Sequence, residues 1–251
     1  MNYAALIPLF PLVGFAIIGL FGRRLGSEKV IGSIASLAVL ASFVTAVAVF
    51  MGLTSMPADA RSFTVPVYTW IATGSFSVDI AYQFDQLSIL FTLIITGIGF
   101  LIHVYSTGYM HGDRSFPRFF AYLNLFVFMM LNLVLASNFL LTFLGWEGVG
   151  LASYLLIGFW YDRKFEGSGI VWTGDAAKKA FIVNRIGDFG VLLAMFMLFN
   201  AFGTLEYATI NAQAGVVLGG QETLVTMITL LLFLGCTGKS AQIPLGVWLP
   251  D

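Results

Sequence analysis

The 251-residue chain is 59% hydrophobic and 10% charged, where a soluble domain carries about 25% charged residues, and its mean hydropathy of +0.91 makes lipid its main solvent. A formal net charge of −1 with no basic patch excludes nucleic acid as a partner. One cysteine, Cys236, and two histidines, His103 and His111, cannot build a disulfide framework, a zinc site or an iron–sulfur cluster. Eight residues apart on one helix, the histidines would be separated by about 12 Å and could not ligate one haem from both faces. No metal, cofactor or redox centre is expected in this chain.

The first residues, Met1-Asn2-Tyr3, are followed directly by apolar ones. A removable signal peptide has a basic start and a small-residue cleavage site, so the first segment is expected to be a permanent span. Seven stretches reach the roughly 17 residues a bilayer crossing needs. They cover residues 6–21, 30–53, 87–105, 119–136, 139–160, 176–202 and 223–238, the last with an expected interruption near Pro244. The long 54–83 connection contains two short alternating runs, Phe63-Thr64-Val65-Pro66-Val67-Tyr68 and Phe76-Ser77-Val78-Asp79-Ile80, which predict a small hairpin. Residues 203–221 read as a simple connection. Asp85 stands where a helix start wants an N-cap, and His103 reads as an interfacial residue near the end of the third span. The expected fold is an all-α polytopic transmembrane helix bundle of about seven spans, one membrane domain over residues 1–251.

Loop charges set an expected topology. Arg23, Arg24, Lys29, Arg114, Arg118, Arg163, Lys164, Lys178 and Lys179 are nine of the twelve Lys and Arg residues, and all fall in alternate loops. The other loops hold Arg61 with Asp59, Asp79, Glu206 and Glu222. The positive-inside rule then places the N-terminus outside and the basic loops in the cytoplasm.

Three spans contain charges that lipid should not tolerate. Glu147 lies in Gly145-Trp146-Glu147-Gly148, mid-way along an otherwise uncharged span. A charge there costs roughly 2.5–3.5 kcal/mol or more on insertion scales and marks function by default. Arg185 and Asp188 lie at i and i+3 on the sixth span and can pair. Lys178, seven residues before Arg185, extends that polar face toward the loop. Lys239 lies between Gly238 and Pro244, where a weakened helix is tolerated only against protein or a wet cavity. A carboxylate and an amine that pair and separate make a proton switch, so Glu147, Lys239, Asp188, Arg185 and Lys178 are the candidate relay. The competing readings are a buried neutral glutamate, a self-contained Arg–Asp pair and a lysine that snorkels to the surface.

Several longer motifs carry a family resemblance. Leu141-Thr142-Phe143-Leu144-Gly145-Trp146-Glu147, Ala180-Phe181-Ile182-Val183-Asn184-Arg185-Ile186-Gly187-Asp188-Phe189-Gly190, Gly238-Lys239-Ser240-Ala241-Gln242 and Val247-Trp248-Leu249-Pro250-Asp251 resemble the antiporter-like membrane subunits of respiratory complex I, their L-type (chain 5) branch above all. Phe84-Asp85-Gln86-Leu87-Ser88 and the run from His103 to Met110 fit as well. The resemblance implies a proton-pumping subunit of a NADH:quinone oxidoreductase. Glu147 would be the fifth-helix glutamate and Lys239 the seventh-helix lysine, with redox chemistry left to other subunits. It implies three peripheral spans over residues 1–118 and most of a first helix repeat over 119–251. Members of the family are about twice as long, so the chain is expected to be part of a longer protein. Expected partners are other membrane-arm subunits, especially a neighbouring antiporter-like one, and the lipid of a bacterial inner membrane. The alternatives are a subunit of a multi-subunit sodium/proton antiporter, a related carbon-uptake complex, and a scaffold with no ion path.

Overall fold

The computed structural model describes residues 2–74, 76–165 and 171–250. Among these, seven helices are long and apolar enough to cross a membrane: Asn2–Leu25, Glu28–Thr54, Gln86–Tyr109, Phe116–Leu135, Phe139–Ile157, Thr173–Phe202 and Glu222–Lys239. Each of the seven expected stretches falls on one of them. Only 22–44% of the residues in their most apolar windows are buried within the chain. Leu20, Leu101, Ile182 and Leu230 instead project outward. Surface of that kind is stable against hydrocarbon and not against water. The chain is an all-α polytopic membrane bundle.

In chain order the helices are α1 (Leu6–Leu25), α2 (Glu28–Thr54), α3 (Gln86–Tyr109), α4 (Phe116–Leu135), α5 (Phe139–Ile157), α6 (Thr173–Phe202), α7 (Tyr207–Val217) and α8 (Glu222–Lys239). The hairpin expected after α2 is present, longer than its alternating runs: β1 (Phe63–Thr73) pairs with β2 (Phe76–Phe84). Gly74 turns between them at φ +57°, a backbone that favours glycine. Asp85 is the expected N-cap of α3. Its Oδ1 accepts from the Leu87 and Ser88 amides at 3.0 and 2.8 Å, and Ser88 Oγ accepts from the Asp85 amide at 2.8 Å. This reciprocal box is worth about 1 kcal/mol. Two short strands, β3 (Lys164–Phe165) and β4 (Val171–Trp172), pair antiparallel before α6.

The chain forms two compact units. The first contains Met1–Tyr68, Ile80–Ala136 and Leu144–Ala152. It is built on α1–α4, which approach one another through small residues, as lipid-embedded helices do. Ser42 Oγ on α2 donates to the Ile7 carbonyl at 2.7 Å, and a Cβ at Gly32 would come within 2.7 Å of Thr107 on α3. The second unit contains Thr69–Asp79, Ser137–Phe143 and Ser153–Asp251. Its core gathers Val191, Ala194, Met195 and Leu198 of α6 around Ile228 of α8 and Leu205.

Two expectations change, and one gains its mechanism. Residues 203–221 are more than a connection, because α7 occupies them. The Ala- and Gln-containing run Ala208-Thr209-Ile210-Asn211-Ala212-Gln213-Ala214 favours a helix, and its start is tied down. Tyr207 N donates to the Ser137 carbonyl at 3.1 Å, and Thr142 Oγ1 bonds the Tyr207 hydroxyl. His103 is fully covered, at 0% exposure, and its side chain is directed into the first unit. The seventh span ends at Lys239, within a residue of its expected limit and ahead of Pro244. Ala241 adopts φ 50°, its amide donates to the Gly238 carbonyl at 3.3 Å, and the Gln242 amide reaches the Thr237 carbonyl at 2.8 Å. Those two bonds are the Schellman pattern that closes helices, with alanine where glycine normally sits.

Candidate functional site

The α6–α8 crossing is made by glycines. A Cβ at Gly187 would lie 3.2 Å from the Leu234 carbonyl, one at Gly190 2.8 Å from the Leu231 carbonyl, and one at Gly238 3.6 Å from the Asn184 carbonyl. A Cβ at Gly235 would collide with the Val191 side chain. The pairs run 184 with 238, 187 with 234 and 190 with 231, so the two helices are antiparallel and touch backbone to backbone. This registers the buried face of α6, which carries Asn184 and Asp188 at 9% and 5% exposure, against the C-terminal turn of α8.

Lys239 is the last residue of α8 and is half-buried. A cation there meets the carbonyl-rich, negative end of the helix. The surrounding backbone is held by Trp248, whose Nε1 donates to the Gly238 carbonyl at 3.0 Å, and by Thr237, whose Oγ1 donates to the Leu234 carbonyl at 2.8 Å. The chain thus continues past Lys239 as a folded-back, non-helical segment that ends in a short turn at Gly246–Trp248. Asn184 Nδ2 donates to the Ala180 carbonyl at 2.8 Å. Its Oδ1 is buried and accepts nothing from the described residues. Asn184 carries no charge to mark it in the sequence; its spacing of four from Asp188 is the signal that puts the two on one helix face.

Arg185 and Lys178 lie on the uncovered side of α6. Arg185 is exposed, with its guanidinium 4.9 Å from the centre of the Phe181 ring. Lys178 Nζ bridges Asp175 at 3.2 Å, both well exposed. Asp188 and Arg185 therefore straddle the border between the covered and uncovered sides of the helix. An exposed i,i+3 bridge such as Lys178–Asp175 is worth a few tenths of a kcal/mol.

Glu147 belongs to the first unit, about 12 Å along α5 at 1.5 Å per residue, and is half-buried. Its flanking glycines bring α5 onto α4. A Cβ at Gly145 would fall on the Leu133 backbone, and one at Gly148 on the Met129 side chain. The carboxylate is thereby carried at mid-helix beside a close approach of two helices. Lys239, Asp188, Arg185 and Lys178 all belong to the second unit.

A separate polar cluster lies between α3 and α4. His103 Nδ1 is 2.7 Å from the Gly99 carbonyl, an acceptor, so Nδ1 carries the hydrogen. Nε2 then accepts from Asn124 Nδ2 at 3.3 Å. Both ring nitrogens are satisfied in the neutral tautomer, assigned here from the hydrogen-bond pattern.

Two family models match the chain. Residues 70–120 match "NADH-Ubiquinone oxidoreductase (complex I), chain 5 N-terminus", and residues 136–251 match "NADH:quinone oxidoreductase/Mrp antiporter, TM". The chain is 45% identical over 251 residues to NADH-quinone oxidoreductase subunit L of Mycobacterium tuberculosis, covering 100% of this chain and 38% of that protein. It is 41% identical over 256 residues to subunit L of Escherichia coli, covering 100% and 39%. It is 40% identical over 252 residues to NADH-ubiquinone oxidoreductase chain 5 of Triticum aestivum, covering 98% and 36%. It therefore spans well under half the length of these relatives. Among solved structures, the Mrp complex from Dietzia sp. DQ12-45-1b aligns with a TM-score of 0.78 at 23% identity over 99% of this chain and 25% of that one. An archaeal membrane-bound sulfane sulfur reductase aligns with a TM-score of 0.77 at 17% identity, over 100% and 47%. These two likenesses concern the fold.

Proposed function

We propose that the chain belongs to the antiporter-like membrane subunits named by the two matching family models and is a proton-translocating membrane subunit of a NADH:quinone oxidoreductase. The observation that carries the reading is the end of α8. A membrane-long helix closes at Lys239, and the buried Asn184–Asp188 face of α6 packs against that closure through Gly187, Gly235 and Gly238.

In this reading Glu147 and Lys239 are the switch. Paired, Glu147 stays ionised and Lys239 protonated; separated, the desolvated lysine releases its proton. Asp188 receives or passes that proton. Arg185 and Lys178 form the charged approach on α6. Moving one charge through 100 mV is worth roughly 2.3 kcal/mol, the scale such a switch has to gate. The redox chemistry belongs to partner subunits. The basic loops face the cytoplasm, the N-terminus lies outside, and the membrane is a bacterial inner membrane. Residues 1–118 and 119–251 are the peripheral spans and the first helix repeat, and a neighbouring antiporter-like subunit is the closest partner.

The test is proton uptake by membrane vesicles driven by NADH oxidation, in the intact complex. Lys239→Ala, Glu147→Gln and Asp188→Asn should each lower uptake on the order of 100-fold, the low end for a lost proton-transfer group, with the complex still assembled. Full uptake in the Lys239 and Glu147 variants would sink the proposal. The second family model names Mrp antiporters too, and co-purification decides between the readings. Flavin and iron–sulfur subunits support the first, small antiporter subunits the second.

A further inference from the structure

An unused hydrogen-bond acceptor is buried at the α6–α8 crossing. Asn184 is 9% exposed, its Nδ2 donates to the Ala180 carbonyl at 2.8 Å, and its Oδ1 accepts nothing from the described residues. A buried acceptor left unmatched is costly and calls for a reason. The bond to Ala180 fixes which way the amide lies, because the reversed amide would set Oδ1 against the Ala180 carbonyl. Asn124 Oδ1 also accepts nothing from the described residues, but the backbone of α1 covers it. A Cβ built at Gly14 would lie 2.5 Å from that oxygen, the place of a Cα–H···O contact.

The antiparallel register fixes what lies level with Asn184. Residues 190, 187 and 184 of α6 face 231, 234 and 238 of α8. The amide leans from Asn184 toward Ala180, one turn further along α6. It is therefore level with the end of α8 and the first residues beyond it. The backbone donors of that stretch are engaged with α8 itself. Ser240 N donates to the Cys236 carbonyl at 2.9 Å, Ala241 N to that of Gly238 at 3.3 Å and Gln242 N to that of Thr237 at 2.8 Å. Of its side-chain donors, Ser240 and Gln242 are exposed and Lys239 is half-buried. Lys239 carries three donors on a flexible four-carbon stem. Its Cα is one peptide step, about 3.8 Å, past that of Gly238.

We propose that Asn184 is a positioning residue of the switch: its Oδ1 accepts from the Lys239 ammonium when that ammonium is away from Glu147. The role rests on the relay reading of Lys239 and adds a resting place to it. An amide oxygen suits this place better than a carboxylate. It accepts from an ammonium, yet it carries no charge to hold the cation fast and does not take up its proton. The ammonium is thereby kept in the second unit, beside the Asn184–Asp188 face, with its proton still to give. A bond from a charged donor is also stronger than one between neutral groups, which answers for the buried Oδ1.

The experiment uses the intact complex in membrane vesicles, with NADH-driven proton uptake as its first readout. Asn184→Val removes the acceptor. Asn184→Thr has nearly the same shape and restores one: a helical threonine donates to the carbonyl four residues back, as Thr92 and Thr96 do at 2.8 and 2.7 Å, and still has a lone pair to accept with. Asn184→Val should lower uptake about tenfold, the lower worth of a bond to a charged group. Asn184→Thr should keep most of it, with equal amounts of assembled complex. Should this pair not assemble, Asn184→Ala and Asn184→Ser make the same comparison. The second readout is the NADH-induced infrared difference spectrum of complex carrying isotope-labelled asparagine. A label-sensitive side-chain carbonyl band should be present in the wild type and absent from both Asn184→Val and Lys239→Ala. Equal uptake in Asn184→Val and Asn184→Thr overturns the proposal. So does a band that is missing from the wild type, or one that survives Lys239→Ala and so has water as its donor. Full uptake in Lys239→Ala would instead sink the relay reading itself, whereas loss there with normal uptake in Asn184→Val removes only the role of Asn184.

Discussion

The first and second units bury the same side chain in the same way and to different ends. Asn124 and Asn132 on α4 and Asn184 on α6 each donate Nδ2 to the carbonyl four residues back, at 3.1, 2.8 and 2.8 Å. In the first unit the device is joined to neutral partners. Asn124 also donates to His103, its Oδ1, like that of Asn184, accepting nothing from the described residues, and Asn132 Oδ1 accepts from the Tyr82 hydroxyl at 2.9 Å. In the second unit Asn184 stands one turn from a buried aspartate and against the end of a helix that closes on a lysine. Buried polarity in a membrane helix is thus not a relay by itself. Neutral groups bonded to one another fix helices in place, whereas the proposed relay needs ionisable groups, here set against the end of α8. His103, which by residue type is the obvious proton carrier, falls on the static side of that division.

The sharpest way to break the comparison is to measure transport in variants from both regions. Asp188→Asn should lower proton uptake on the order of 100-fold, whereas His103→Gln should leave it within about twofold and cost about 1–3 kcal/mol of stability through a disrupted buried bond. Equal losses of uptake would show that both clusters conduct. Next comes packing. Gly235→Leu places side-chain atoms where Val191 now lies, and overpacking should cost about 1–3 kcal/mol. It should also push α8 from α6 and lower uptake, seen as a fall in Tm together with a transport defect. A fall in Tm alone would separate the crossing from the function.

A smaller effect belongs to Tyr82, outside the spanning helices. Burial, with Tyr68 nearby as a lesser cause, raises its phenol from 10.0 to about 12. Because the folded value is raised above the unfolded one, its contribution is complete below pH 10 and is lost as pH rises toward 12. The shift corresponds to about 2–3 kcal/mol at most. Tyr82→Phe should flatten the alkaline limb of the stability profile, read by denaturation between those pH values; an unchanged limb would contradict this account. The smallest change is Ala241→Gly, which relieves the left-handed backbone at φ 50° and should raise stability by about 1 kcal/mol. If the closure of α8 is what positions Lys239, uptake in this variant should stay intact.

Much of this was legible in the sequence, for reasons that differ by residue. The seven spans follow from apolar runs too long for anything else, and the hairpin from alternation on either side of Gly74. Asp85 was readable because capping is local: donor and acceptor lie within three residues. The end of α8 was legible to within a residue, but the turn that makes it was not, because Pro244 is a visible breaker and Ala241 is not. Alanine is the best helix former, and only the bonds to Thr237 and Gly238 reveal the turn. The start of α7 depends on Ser137 and Thr142, some 65–70 residues away in sequence, and no local pattern carries that.

By itself the sequence determined the solvent, the number of crossings and the list of charges that lipid would penalise, since these depend on composition and on runs of neighbouring residues. Only the tertiary structure decided which polar groups are bonded to neutral neighbours and which lie against the end of a helix. It turned His103 inward onto Gly99 and Asn124, set Asp188 on the covered and Arg185 on the uncovered side of α6, and brought Asn184 to the level of Gly238. It also gathered four arginines from two distant connections around one cleft. Those outcomes turn on contacts between helices far apart in sequence. Their register is fixed by which glycines let two backbones touch, and the spacing of residues along one helix does not contain it.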